Sequence, residues 1–267
     1  MNSNLLLRIR VIRGVVHLLV RIQNFFVISI VTFGFRRNLT SSKLVRLGTF
    51  YGGWWIPEEY LTTPKNELVV VSAGLGYDVS FDQAIVDSGH QVIGLDPLVQ
   101  CVELANQAIK NPELFKTINA GLWVEDGNQT FFAPRVPGSD AWSATNSQNT
   151  NADDVVEFSV VSMKTLFLQY PQIKQSKYSY LKMDIEGAEG PVLESLDFNS
   201  LPFTLIGVEM DFLSLISLKA LLTRVRMIRR ARLIMMNLGL SGYKFIHNEN
   251  FNFFWIKNSQ KEINDRA

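Results

Sequence analysis

The stretch YSYLKMDIEGAEGPVLESL, residues 178–196, begins as an apolar run and ends as a helix, with acid between. Tyr178 to Met183 reads as a buried strand. Asp184, Glu186, Gly187 and Glu189 follow at once, and EGPVLESL has the pattern of a helix. A strand that feeds a helix through a short loop is the unit from which parallel sheets are built. Carboxylates beside an apolar sheet are costly unless they have partners. Either backbone donors hold them, or something arrives to meet them.

The same alternation runs outward in both directions. ELVVVSA (67–73) is a strand closed by Gly74 and Gly76. SFDQAIVDSG (80–89) is a helix, with Ser80 or Asp78 as N-cap and Gly89 as its stop. HQVIGLD (90–96) is a second strand, LVQCVELANQAIK (98–110) an amphipathic helix, and FKTINAGLW (115–123) a third strand. NQTFFAP (128–134) and VVEFSVVS (155–162) read as two more strands around a polar insert, and MKTLFLQY as a short helix. PFTLIGVEMD (202–211) is another strand that ends in carboxylates, before a long helix at 217–239. YKFIH and FNFFWIK close the chain as a hairpin. The pattern predicts an α/β fold with a mostly parallel sheet covered on both faces and a C-terminal antiparallel hairpin. Ligands of such sheets sit beyond the carboxyl ends of the strands, where Gly74, Asp96, Asp184 and Glu209 would share one rim.

With 267 residues and 47% apolar content the chain has enough material for one α/β domain and an extension. The net charge of +1 hides an asymmetry, because Met1 to Pro57 contains no acidic residue. Cys101 is the only cysteine, so no intrachain disulfide forms; His17, His90 and His247 are scattered, and no metal site is assigned. The first forty residues are the most apolar part, with Arg10, Arg13, His17, Arg21 and Asn24 spaced by three or four on one helical stripe. Three readings fit: an amphipathic helix lying on a membrane, a spanning anchor with Arg21 snorkelling, or a helix packed on the domain. No small-residue cleavage site closes the run. The expected location is membrane-associated and otherwise cytoplasmic. Asn38-Leu39-Thr40 and Asn128-Gln129-Thr130 are glycosylation triplets of the kind common by chance. Residues 212–248 also lack acid and carry several arginines, either a solvated face or a second anionic contact. No nucleic-acid recognition module accompanies them.

Asp96 lies 20 residues after Gly76, where an acid at a strand end can accept ribose hydroxyls. This points to a nucleoside-containing ligand. A nicotinamide site wants G-x-G-x-x-G, and Val79 stands in the last glycine's place. S-adenosylmethionine needs no pyrophosphate cradle, and its positive charge suits carboxylates at the strand ends.

These residues also resemble a known family. LKMDIEGAEGPVLESL looks like the signature of FkbM-type methyltransferases, and the likeness extends to Val156–Val160, Ser162 to Leu166, Gly121-Leu122-Trp123, Val208-Glu209 and the final hairpin, roughly 67–257. The resemblance implies a class I methyltransferase (Rossmann-like) sheet and transfer from S-adenosylmethionine, usually to a hydroxyl oxygen. The family's first strand usually ends in Asp-x-Gly, whereas Ser72-Ala73-Gly74 stands here; Ser80-Phe81-Asp82 resembles a divergent, methyltransferase-like subgroup. The expected organisation is an N-terminal helix (1–37), a lead-in linker (38–66) and the methyltransferase domain (67–267). Cofactor contacts are expected from Gly74, Gly76, Tyr77, Asp78, Asp96, Pro97, Gly121, Leu122, Trp123 and Asp184, with Trp123 over the adenine. Asp184 and Glu209 are the candidates for base or acceptor orientation, with Glu186 binding a backbone amide or the acceptor, and the 134–154 insert covering it. The acceptor expected is a small molecule or glycan. The rival reading is a non-catalytic, membrane-tethered relative, which the Ser72 departure favours.

Overall fold

The structure is a computed structural model and describes residues 3–35, 43–146, 150, 153–213 and 221–257. One long helix, α1 (Ser3–Thr32), leads to a hairpin of β1 (Leu44–Leu47) and β2 (Trp54–Pro57) and a single turn, α2 (Glu58–Leu61). The alternation then follows as β3 (Leu68–Ala73), α3 (Ser80–Asp87), β4 (Gln91–Leu95), α4 (Val99–Ala108) and β5 (Phe115–Ile118). Next come β6 (Gly121–Trp123), β7 (Gly127–Phe132), β8 (Val155–Ser162), α5 (Met163–Gln169) and α6 (Gln172–Gln175). The last part holds β9 (Tyr178–Met183), α7 (Glu189–Ser195), β10 (Leu205–Glu209), α8 (Leu221–Leu240), β11 (Tyr243–Glu249) and β12 (Asn252–Lys257). The triplet Asn38-Leu39-Thr40 lies outside the described residues.

Seven strands form the main sheet in the order β11-β12-β10-β9-β3-β4-β5. Neighbours from β10 to β5 are parallel, and β12 runs antiparallel to both β10 and β11. This is the class I methyltransferase architecture expected, closing hairpin included. β3 is central and buried along its whole length. Its period-2 alternation sends Val69, Val71 and Ala73 into one core and Leu68 and Val70 into the other, on the opposite face. That explains why a half-polar pattern is missing from this strand.

Two elements differ from the pattern read in the sequence. The single strand expected over 115–123 is two, because the chain changes sheet at Asn119-Ala120. The Asn119 amide donates to the carbonyls of Asp96 and Pro97 (3.1 and 3.0 Å), and β6 leaves to join β8 and β7. The described part of the lead-in segment holds a hairpin instead of a linker: β1 and β2 pair from Leu44↔Pro57 to Leu47↔Trp54, and Trp54 and Ile56 are buried in the second core. At the N-terminus, Val27 and Val31 of α1 are buried in the first core. Arg232 of α8 donates to the carbonyls of Ile30, Val31 and Phe33 (2.7, 3.2 and 2.9 Å), satisfying the end of α1. Among the described residues, no helix is long and apolar enough to cross a membrane.

Candidate active site

A cavity of about 370 Å³ opens beyond the carboxyl ends of β3, β4, β9 and β10, within the range of small-molecule sites. Its floor depends on Gly74 (φ 82°), where a Cβ would collide with the carbonyl of Asp184. Two strand ends can meet so closely only because no side chain intervenes. Asp96, at the end of β4, accepts from the backbone amides of Leu75 and Gly76 at Oδ2 (3.0 Å each) and of Leu98 at Oδ1 (2.8 Å). Three backbone donors therefore hold this carboxylate at the cavity rim. Asp78 accepts from the Ser80 amide (3.0 Å) and the Thr49 hydroxyl (2.5 Å), so it caps α3 and ties that helix to the β1–β2 loop.

The other half of the cavity treats its acids differently. Glu189 is fully buried and folds back, its Oε1 accepting from the amides of Ile185 and Gly187 (2.9 and 3.1 Å). This fixes a turn in which Glu186 (φ 57°) and Gly187 (φ 91°) both take left-handed conformations, strained for the glutamate. Asp184, Glu186 and Asp211 bring carboxylate oxygens within 4.8 Å of one another. At an effective dielectric near 20, two unit charges at that spacing repel by about 3.5 kcal/mol. Burial raises Asp184 above the usual carboxylate range, with Lys182 pulling the other way and Glu209 hydrogen-bonded to it. Glu209 is pushed up to about 9, by burial first and then by Asp184, Glu189 and Glu186. Glu189 reaches about 8, again chiefly by burial, and Asp211 also lies well above its ordinary value. At neutral pH the cluster therefore holds protons. Lys182, buried on β9, donates to the Gly74 carbonyl and lies 5.3 Å from the ring centre of Trp54.

Gly74, Gly76, Tyr77, Asp78, Asp96, Pro97, Gly121, Leu122, Asp184, Glu186 and Glu209 all line this cavity. Trp123 does not line it: this side chain is partly buried against two of the hydrophobic clusters. Two residues of the 134–154 insert, Asp140 and Trp142, line the cavity. Asp140 accepts from the Tyr77 amide (2.8 Å), and the Ser143 hydroxyl donates to the Glu186 carbonyl (2.5 Å), so the insert is fastened to both halves of the rim. The sequence reading assigned no role to Lys182, Asp140 or Asp211, nor to Phe50 and Tyr51 at the cavity mouth. Asp211 had a signal, since it ends the acidic run after β10. Phe50 and Tyr51 had none, because their contribution depends on a hairpin that brings distant residues over the rim.

A family model described as the methyltransferase FkbM domain matches residues 71–231, more than half of the chain. The chain belongs to the FkbM methyltransferase family. No curated protein matches it. Among solved structures, the fibrillarin pre-rRNA processing protein of Methanococcus jannaschii aligns at 11% identity over 84% of this chain and 86% of that one, with a TM-score of 0.37. The fibrillarin of Aeropyrum pernix, described in complex with natively bound S-adenosyl-L-methionine, gives 8% identity, 85% and 86% coverage and a TM-score of 0.36. A TehB-like SAM-dependent methyltransferase of Corynebacterium glutamicum gives 12%, 73% and 83%, and 0.32. Scores this low carry no argument about the site or its substrate.

The FkbM cofactor, S-adenosylmethionine, fits the residues present. Gly74 and Gly76 (φ 58°) keep the rim of β3 open, Asp96 stands at the end of β4, and the acids beyond β9 and β10 outnumber the cations Lys182 and Arg46 that also line the cavity. One departure has a structural consequence. Ser72, where the family usually has an acid, is fully buried, and the buried acid nearest in role is Asp82 of α3. Burial raises Asp82 above its ordinary range, opposed first by Lys182. Asp82 does not line the cavity.

Proposed function

We propose that this FkbM-family chain transfers a methyl group from S-adenosylmethionine to a hydroxyl oxygen of a small molecule or glycan, with Asp184 and Glu209 handling the acceptor's proton. The observation that carries the reading is the placement of these two carboxyls side by side in the cavity wall, where burial raises both above the ordinary carboxylate range. When bound, the cofactor supplies an electrophilic methyl on a sulfonium. Gly74, Gly76, Asp96 and Pro97 would hold its nucleoside end, and Asp184 would face its charged end. Positive charge beside a carboxyl pair favours the ionised form. Glu209 therefore gives up its proton as the site fills, and the pair is left with an acceptor oxygen for the incoming hydroxyl. Phe50, Tyr51 and Trp142 line the same cavity and suit an acceptor with an apolar or sugar-ring face.

Calorimetry in two buffers of different ionisation enthalpy tests this. S-adenosylmethionine binding is expected to release a proton, S-adenosylhomocysteine, which lacks the sulfonium charge, to release less, and Glu209→Gln to abolish the difference. Binding without buffer dependence would remove Glu209 from the proposed role. Transfer of labelled methyl into a base-stable ether distinguishes methylation of a hydroxyl from methylation of a carboxylate, which gives a base-labile ester. The rival reading, a binding module without catalysis, rests on Ser72; it predicts the same binding with no transfer to any hydroxyl acceptor.

A further inference from the structure

A helix packed on a water-soluble domain normally turns its polar side outward. From Leu18 onward α1 does the reverse. Val27 and Val31 face the core, and Asn24 is half-buried, whereas Leu18, Leu19, Ile22, Phe25, Phe26 and Phe33 are all exposed, Phe33 by 77%. The helix it rests on shows the same inversion. Leu222, Val225, Leu233, Met236 and Leu240 of α8, with Arg229 between the second and third, recur at three- and four-residue spacing on one exposed stripe, with Leu222 exposed by 76% and Leu240 by 80%. Arg21, Arg226 and Arg229 are exposed among these apolar side chains. Two other arginines of α8 face elsewhere: Arg230 pairs with Glu194 (2.5 Å), and Arg232 caps α1.

We propose that the joined surface of α1 and α8 docks on an anionic lipid bilayer. Leucine and phenylalanine side chains enter the acyl boundary, and arginines stay at the level of the headgroups, reaching up on their aliphatic stems. Charge selects the occupant. Residues 1–57 and 212–248 contain no acidic residue, so a second copy of this surface would oppose arginine to arginine, while phosphatidylserine-type headgroups complement it. A nucleic acid would match the charge but leave the apolar stripes in water. The docking would hold the methyl-transfer domain against a membrane without a spanning segment.

Flotation of the full chain with phosphatidylcholine vesicles, with and without phosphatidylserine, tests the surface. The chain is expected to float only with the anionic vesicles and to be released by high salt. The double substitution Arg226→Gln with Arg229→Gln should weaken partition roughly fivefold per arginine. Phe25→Ser with Phe33→Ser should abolish it. If the phenylalanine pair disturbs folding, the arginine pair still decides. A wild-type chain that stays with neither vesicle, or that floats equally after both pairs of substitutions, overturns the proposal. So does a dimer in sedimentation, dissolved by the phenylalanine pair, with no flotation.

Discussion

At the rim of β3 and β4, Asp96 accepts three backbone hydrogen bonds and Asp78 holds a cap and a hydroxyl. At the rim of β9 and β10, a few residues away across the same cavity, Asp184, Glu209 and Asp211 lean on one another, and Lys182 is their main opposing charge. The first pair of acids is fastened by donors that are always present. The second set is electrostatically incomplete, and it lowers its energy by keeping protons. Glu189 stands between the two cases, since it has backbone donors at one oxygen and no partner at the other. The lesson is that a carboxylate at a strand end is structural when amides saturate it and chemical when its neighbours are other carboxylates.

The largest effect expected concerns the point where the two halves touch. Gly74→Ala would drive a methyl group into the Asp184 carbonyl and strain a left-handed residue, lowering stability by roughly 2–4 kcal/mol in urea unfolding and abolishing cofactor binding. Glu209→Gln is next. It should slow transfer on a suitable acceptor by about 10²–10⁴-fold, the usual size of general-base catalysis, with the unfolding midpoint at neutral pH raised rather than lowered, because the unfolded wild-type glutamate ionises there and the amide does not. Asp96→Ala should do the opposite, costing about 3 kcal/mol of stability through three lost charge-assisted hydrogen bonds. Equal stability losses in these two variants would break the contrast between the rims.

The pH dependence sharpens it further. Glu189 and Glu209 have folded values near 8 and near 9 against 4.5 unfolded, so between those values the native state binds more protons than the unfolded chain. Their stabilisation is complete below 4.5 and is lost as pH rises through 8 and 9. The ligand-free protein should melt at a steadily lower temperature across that window, and Glu209→Gln should flatten the slope. The smallest effect is expected at Glu186. Replacing it by glycine removes the strain of φ 57° and should raise stability by about 1 kcal/mol, while any loss of transfer would show that the strained side chain serves the acceptor.

Strand and helix periods are local, and so the order of elements from β3 to β12 was legible without coordinates. The strand-end positions of Asp96, Asp184 and Glu209 followed from the same reading, as did the glycines beside them. Sequence alone also showed that the first 57 residues lack acid. It did not show that Asn119 sends the chain into a second sheet, that Trp123 turns into the core, or that the lead-in segment forms a hairpin whose loop lines the cavity mouth. Those outcomes depend on contacts between residues far apart in the chain. The same limit applies to the acids. Residue type and spacing placed them on one rim, but only the tertiary structure decided which met backbone amides and which met each other, because a carboxyl's proton is governed by the charges and donors within a few ångströms of it, wherever in the chain they come from.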